Sequence, residues 1–131
     1  MIYLNGFFNR LHYSGQKIIF INDLPGEFVH YANEMREYCE IHTTLYPDII
    51  YDFMLVFAYN QQDLIEKTKD LTLYTKINST IWLIIPKFNS KKIKSDFDKN
   101  YIFPKYIEEN FKKMQRAILS PDWVAYKFKK F

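Results

Sequence analysis

KIIFINDLPGEF, residues 17–28, is the stretch on which the fold turns. Its first half is a nearly continuous run of β-branched and aromatic side chains, the composition of a strand buried on both faces of a parallel sheet. Pro25 and Gly26 stop that strand. Beyond them Phe28, Tyr31, Ala32 and Met35 recur at helical spacing, with Glu27, Glu34, Arg36 and Glu37 around the opposite side. The unit is strand, turn, helix.

Outward from that unit the pattern repeats. YDFMLVFA (51–58) and STIWLIIPK (79–87) are two further apolar strands, and Pro86 marks where the second ladder must stop. Between them Asn60 is placed to cap a helix with Asp63 in its first turn and Leu64, Thr68, Leu71 and Thr75 along one face. EIHTTL (40–45) is a short strand candidate. Only a few residues separate it from the next strand, so either its connection runs extended over the sheet or it pairs antiparallel. Leu4, Phe7, Phe8 and Leu11 make the apolar stripe of a short first helix, and Gly15 turns the chain after it. Pro104 opens a late helix in which Ile107, Phe111 and Met114 face inward. The closing QRAILSPDWVAYKFKKF reads as two strands about Ser120, Pro121 and Asp122. There Trp123, Ala125, Lys127 and Lys129 alternate with Val124, Tyr126 and Phe128. The expectation is one α/β domain over residues 1–131: a Rossmann-like, mostly parallel sheet with helices on both faces and a C-terminal antiparallel hairpin.

Composition narrows the class. At 131 residues, 48% hydrophobic and 25% charged, the chain suits one globular core, and 12 Phe, 11 Tyr and 2 Trp against 3 Gly require rings to fill much of it. No apolar run approaches the roughly 18 residues of a membrane span, and Asn5, Asn9 and Arg10 interrupt any leader-like start, so a cytoplasmic protein without a membrane partner is expected. The lone Cys39 has no second cysteine for a disulfide or a metal and reads as a small residue near a helix end. Net charge is +3, unevenly spread: residues 1–85 carry −4 and residues 86–131 carry +7.

Several segments together carry a resemblance. They are Leu11, Gly15 and Lys17 leading into IIFIND, then Pro25 and Gly26; Asp52 and Phe57; IWLIIPK followed by Ser90, Lys91, Lys94 and Asp96; and Trp123, Ala125, Lys127 and Phe128. On these the chain resembles a family of small bacterial proteins of unknown function, themselves similar to a class I methyltransferase domain reduced to its scaffold. WLIIPKFNSKKIKSD is the most specific part. The resemblance implies the fold, and it implies no activity.

Catalytic motifs are missing. A methyltransferase holds S-adenosylmethionine on a glycine-rich turn after the first strand, where only glycine lets the backbone approach the ligand. NDLPGEF offers Gly26 alone. The end of the second strand holds Thr43, Thr44 and Leu45 instead of an acid for the ribose, with Asp48 several residues later. His12, His30 and His42 lack zinc spacing, the five serines lack a nucleophile elbow, and no P-loop occurs. No catalytic residue, metal or cofactor is therefore expected.

What remains is a basic stretch, with Lys87, Lys91, Lys92, Lys94, Lys99 and Lys105 interleaved with Phe88, Phe97, Tyr101 and Phe103. Lys91, Lys92, Lys94 and Lys99 are candidates for an anion or nucleic-acid surface, although a solvated loop with inward rings is the favoured reading. Lys87 stands apart because it leaves the carboxyl end of a central strand, the edge where open α/β sheets bind ligands. A small anionic ligand there would have Asn60 and Asp23 at its rim and Lys127 facing the same side. Two functions stand: a non-catalytic domain binding an anionic small molecule or a protein partner, and a divergent S-adenosylmethionine-dependent methyltransferase.

Overall fold

A computed structural model describes residues 6–131. Six strands form one sheet in the order β2-β1-β3-β4-β6-β5, comprising β1 (Ile18–Asn22), β2 (Glu40–His42), β3 (Phe53–Phe57), β4 (Thr80–Pro86), β5 (Phe111–Ile118) and β6 (Trp123–Lys130). The first four are mutually parallel, whereas β6 runs antiparallel to β4 and β5 antiparallel to β6. This is the expected parallel sheet closed by an antiparallel hairpin.

Period-two alternation sends successive side chains to opposite faces, and each face has its own core. Ile19, Ile21, Phe53, Leu55, Phe57, Trp82, Ile84, Trp123 and Ala125 lie on one, packed against Phe7, Phe8 and Leu11 at helix α1 (Gly6–Arg10) and against Phe28 and Met35 at helix α2 (Val29–Met35). Phe20, Met54, Val56, Ile81, Leu83, Ile85, Val124 and Phe128 lie on the other. They pack against Leu64 of helix α3 (Gln61–Thr68), Leu71 of the 3-10 turn Leu71–Tyr74, and Ile107 of helix α4 (Lys105–Asn110). Because both faces are covered, every residue of β3 and β4 is buried, which explains their unbroken apolar sequence.

Two expectations need adjustment. The segment at 40–45 is a strand only over Glu40–His42, and it pairs parallel to β1. The chain then passes to the other side of β1 without a helix, laying Leu45, Ile49 and Tyr51 over the α3 face. The helix after Pro104 ends at Asn110. Phe111 is buried as the first residue of β5, opposite Lys130, and Met114 is 47% exposed beside the bulge of that strand. Pairing with β6 satisfies the backbone along Phe111–Ile118 better than another helical turn on an exposed face would. Within the N-terminal stripe, Leu4 lies outside the described residues. No helix among the described residues is long and apolar enough to cross a membrane.

Candidate functional site

The strand order sets where a ligand site falls. β2 and β3 flank β1 on opposite sides, so the connections leaving β1 and β3 diverge at their carboxyl ends, the switch point at which open sheets of this kind bind ligands. The β1–β3 ladder stops at Asn22↔Val56. One residue further, side chains serve the backbone of Phe57: its N–H donates to Asn22 Oδ1 (2.9 Å), and its carbonyl accepts from Lys67 Nζ (2.7 Å). Lys67 comes from α3, and its half-buried ammonium also reaches Asp63 Oδ2 (2.9 Å) and Asp23 Oδ2 (2.5 Å). Asp23 itself turns the chain with φ 48°. The switch point is thus bridged by a lysine and two carboxylates of the chain's own.

The neighbouring helix terminus is also satisfied from within. Asn60 caps α3 as expected, its Oδ1 accepting from Asp63 N (2.8 Å), while Asp63 Oδ2 accepts from Tyr59 N. Asp96 from the basic loop supplies a further carboxylate, its Oδ1 accepting from Gln61 N (2.8 Å) and its carbonyl from Gln61 Nε2 (2.7 Å). An anion attracted by the amide dipoles here would have to displace Asp96.

S-adenosylmethionine does not fit these residues. The hollow beside the ends of β1 and β2, lined by Ile21, Leu24, Ala32, Arg36 and Thr43 among others, holds about 170 Å³. Small-molecule sites begin at roughly 300 Å³. The turn after β1 is closed by the left-handed Asp23 and its bond to Lys67, where cofactor phosphates and carboxylates are elsewhere cradled by glycine amides.

The open space lies one strand further, at the carboxyl end of β4. A cleft of about 560 Å³ is bounded by Glu27, Lys87, Asn89, Lys91, Lys92 and Asp122 with Pro121 at its rim. A second of about 260 Å³ lies on the other side of Lys87, bounded by Phe88, Phe97, Lys99, Arg116 and Tyr126 among others. Lys87 is held between them by its backbone, whose N–H donates to Asp122 O (2.8 Å) and whose carbonyl accepts from Ser90 N (3.0 Å). The buried Asp122 accepts from Ser90 Oγ (2.6 Å), not from a lysine. Among the described residues Lys87, Lys91, Lys92, Lys94 and Lys99 form no ion pair.

Most rings of this loop are committed to the core. Phe97 and Phe103 are buried, and edge contacts run from Phe97 through Tyr101 and Phe103 to Tyr126 and Phe128. Burial and the nearby Asp96 push the Tyr101 hydroxyl up to about 12. Phe88 alone of the four is largely exposed.

Of the residues singled out in the sequence, the structure brings Lys87, Lys91 and Lys92 to one cleft, with Lys99 in the adjoining one. Lys94 lines neither. Asp23 and Asn60 lie at the same sheet edge but are engaged by Lys67 and by the α3 cap. Lys127 corrects the sequence reading, since it does not face this edge. β6 begins opposite Pro86, and Lys127 is paired with Trp82, four residues and about 13 Å toward the amino end of β4. Lys67 was not foreseen, although its i,i+4 spacing from Asp63 was a readable signal. Cys39 is buried, and burial pushes its thiol up, which disfavours the thiolate. Among the described residues no group of three or more His, Cys, Asp or Glu could hold a metal.

Sheet order, antiparallel closure and helix placement define a Rossmann-like fold of the class I methyltransferase type. Solved structures bear this out. A Sulfolobus solfataricus protein assigned as a type 11 methyltransferase aligns at TM-score 0.57 and 16% identity, over 98% of this chain and 89% of its own. The N-methyltransferase NodS of Bradyrhizobium japonicum aligns at 0.56 and 7%, over 96% and 93%. An S-adenosylmethionine-dependent methyltransferase of Aquifex aeolicus gives 0.53 and 8%, over 95% and 87%. At such identities the likeness concerns the fold alone. No protein-family model matches the chain, and no curated protein matches it.

Proposed function

We propose that this chain is a non-catalytic, anion-binding domain on a methyltransferase-like scaffold, with its site in the cleft around Lys87, Lys91 and Lys92. The observation that supports this reading is the pairing of an open cleft rimmed by unpaired lysines with a switch point bridged by Lys67. Lysine ammoniums without carboxylate partners lose little by turning to a ligand, and each contributes a charge-assisted hydrogen bond to an oxyanion. Glu27 and Asp122 on the same walls disfavour a ligand of uniform negative charge, so a small anion carried on a polar body fits best.

The test is a titration of isotope-labelled protein with inorganic phosphate and with a nucleotide, wild type against Lys87→Ala. Saturable amide shifts at Lys87, Lys91, Lys92 and Asp122, lost in the variant, are expected. Shifts confined to other parts of the chain would overturn the assignment. A divergent methyltransferase is the second reading, favoured by the solved structures that share the fold. Calorimetry with S-adenosylmethionine separates the two, because a micromolar dissociation constant, about −8 kcal/mol, would replace the first reading with the second.

A further inference from the structure

We propose that the opposite, amino-terminal edge of the sheet carries a second anion site, built from Lys127, Lys129, Lys76 and His12, that takes a tetrahedral dianion of the phosphate class. A cleft of about 340 Å³ opens there between the loop after α1, the segments leading into β3 and β4, and the last residues of β6. Lys127 and Lys129 project into it from one face of β6, about 7 Å apart along the strand, opposite Trp82 and Thr80 respectively. Both side chains are half-buried.

The charges around this cleft do not cancel. Lys127 Nζ contacts His12 Nδ1 (2.8 Å), and Lys129 Nζ donates to Asn78 O (3.1 Å), so both partners are neutral. Lys112 stands beside Lys129 across β5 and adds a further cation. The single carboxylate on the cleft wall, Asp52, is paired with Lys76 at 3.4 Å. β6 is flanked by β4 and β5, so these lysines do not serve to blunt a free sheet edge. Burial and mutual repulsion lower the basicity of His12, through burial first and then Lys127 and Lys129, and that of Lys127, through burial and then Lys129. A bound anion relieves that repulsion.

The donor set selects the ligand. An ammonium has hydrogens only to give, so the contact with Lys127 makes Nδ1 of His12 the acceptor and puts the imidazole proton on Nε2. The cleft then offers the ammoniums of Lys127 and Lys129, that of Lys76 shared with Asp52, one imidazole N–H and the Ser14 hydroxyl. Point charges on flexible stems suit the distributed oxygens of a tetrahedral oxyanion, where a planar carboxylate is better matched by the guanidinium fork. Two lysines spaced along one strand face can each meet a different oxygen of the same group.

Sulfate is the first probe, because it stays dianionic while His12 titrates. Binding of a dianion raises the His12 pKa, so sulfate affinity must increase as pH falls through the histidine range, and the His12 midpoint followed by NMR must move upward in sulfate. Saturable shifts at His12, Gln16 and Thr80 are expected. Lys127→Met and, independently, Lys129→Met should each weaken binding about tenfold or more, the loss of one charge-assisted contact. Lys87→Met should leave it unchanged, which separates this site from the cleft at the other edge. Phosphate and a phosphomonoester then distinguish a free ion from a larger ligand. Shifts that grow linearly without saturation, a His12 midpoint that sulfate does not move, or wild-type affinity in either lysine variant would each overturn the proposal.

Discussion

Lys67→Met tests the bridge at the switch point. Phe57 is fully buried, and its carbonyl accepts from Lys67 Nζ where the β1–β3 ladder has already ended. Methionine keeps most of the packed stem but donates nothing, so a buried oxygen loses this donor, at a cost of about 1–3 kcal/mol. The ion pairs contribute less. Asp23 is 58% exposed, and the Asp63 contact is a helical i,i+4 pair, so together they amount to about 0.5–1 kcal/mol. New apolar contact by methionine offsets part of the loss. The expected net destabilisation is about 2 kcal/mol, read as a lower urea midpoint at unchanged slope. Asp23→Asn, which leaves the carbonyl bond intact, should cost less than about 0.5 kcal/mol. If Lys67→Met matched wild type within that margin, water would be serving Phe57. The crevice would then be wet and accessible, and the argument against a cofactor there would fail.

Two further predictions concern the core and the pH limit of stability. Trp123 is 1% exposed and meets Phe57 and Tyr59 edge-on at 5.5 and 5.2 Å, so Trp123→Ala should cost roughly 3–5 kcal/mol in denaturant melts, and a loss below about 1 kcal/mol would contradict its burial. Tyr101 in the folded chain is raised to about 12, above the unfolded value of about 10; the unfolded state therefore releases its proton first, and stability must fall as pH rises between those values. Tyr101→Phe should flatten that fall in melts across the alkaline range, and an unchanged slope would place the hydroxyl in solvent.

How far the sequence reached depended on the range of the forces involved. β1, β3 and β4 could be read directly because burial on both faces leaves a continuous apolar run, and the cap at Asn60 needs only three residues of context. The boundary between α4 and β5 was misplaced because Phe111 satisfies both the i,i+4 helical pattern and the start of a strand. The six residues after it are mostly exposed, so β5 carries no alternation to betray it. Its identity comes from β6, a partner remote in sequence from any local window.

The candidate site divides along the same line. Lys87 follows the carboxyl end of β4, a place readable from the sequence because strand direction follows from the parallel pattern. The position of Lys127 depends on antiparallel register, which carries its side chain to the far edge and into contact with His12, 115 positions earlier in the chain. Lys67 illustrates the same limit: its pairing with Asp63 is local, but its role as donor to Phe57 exists only because β1 and β3 part beyond Asn22↔Val56. The scaffold's usual ligand crevice is therefore bridged by a side chain of unremarkable sequence context. The unpaired cations accumulate instead at the two neighbouring openings, one at each end of the β4–β6 pair, and it is there that ligand chemistry should be sought.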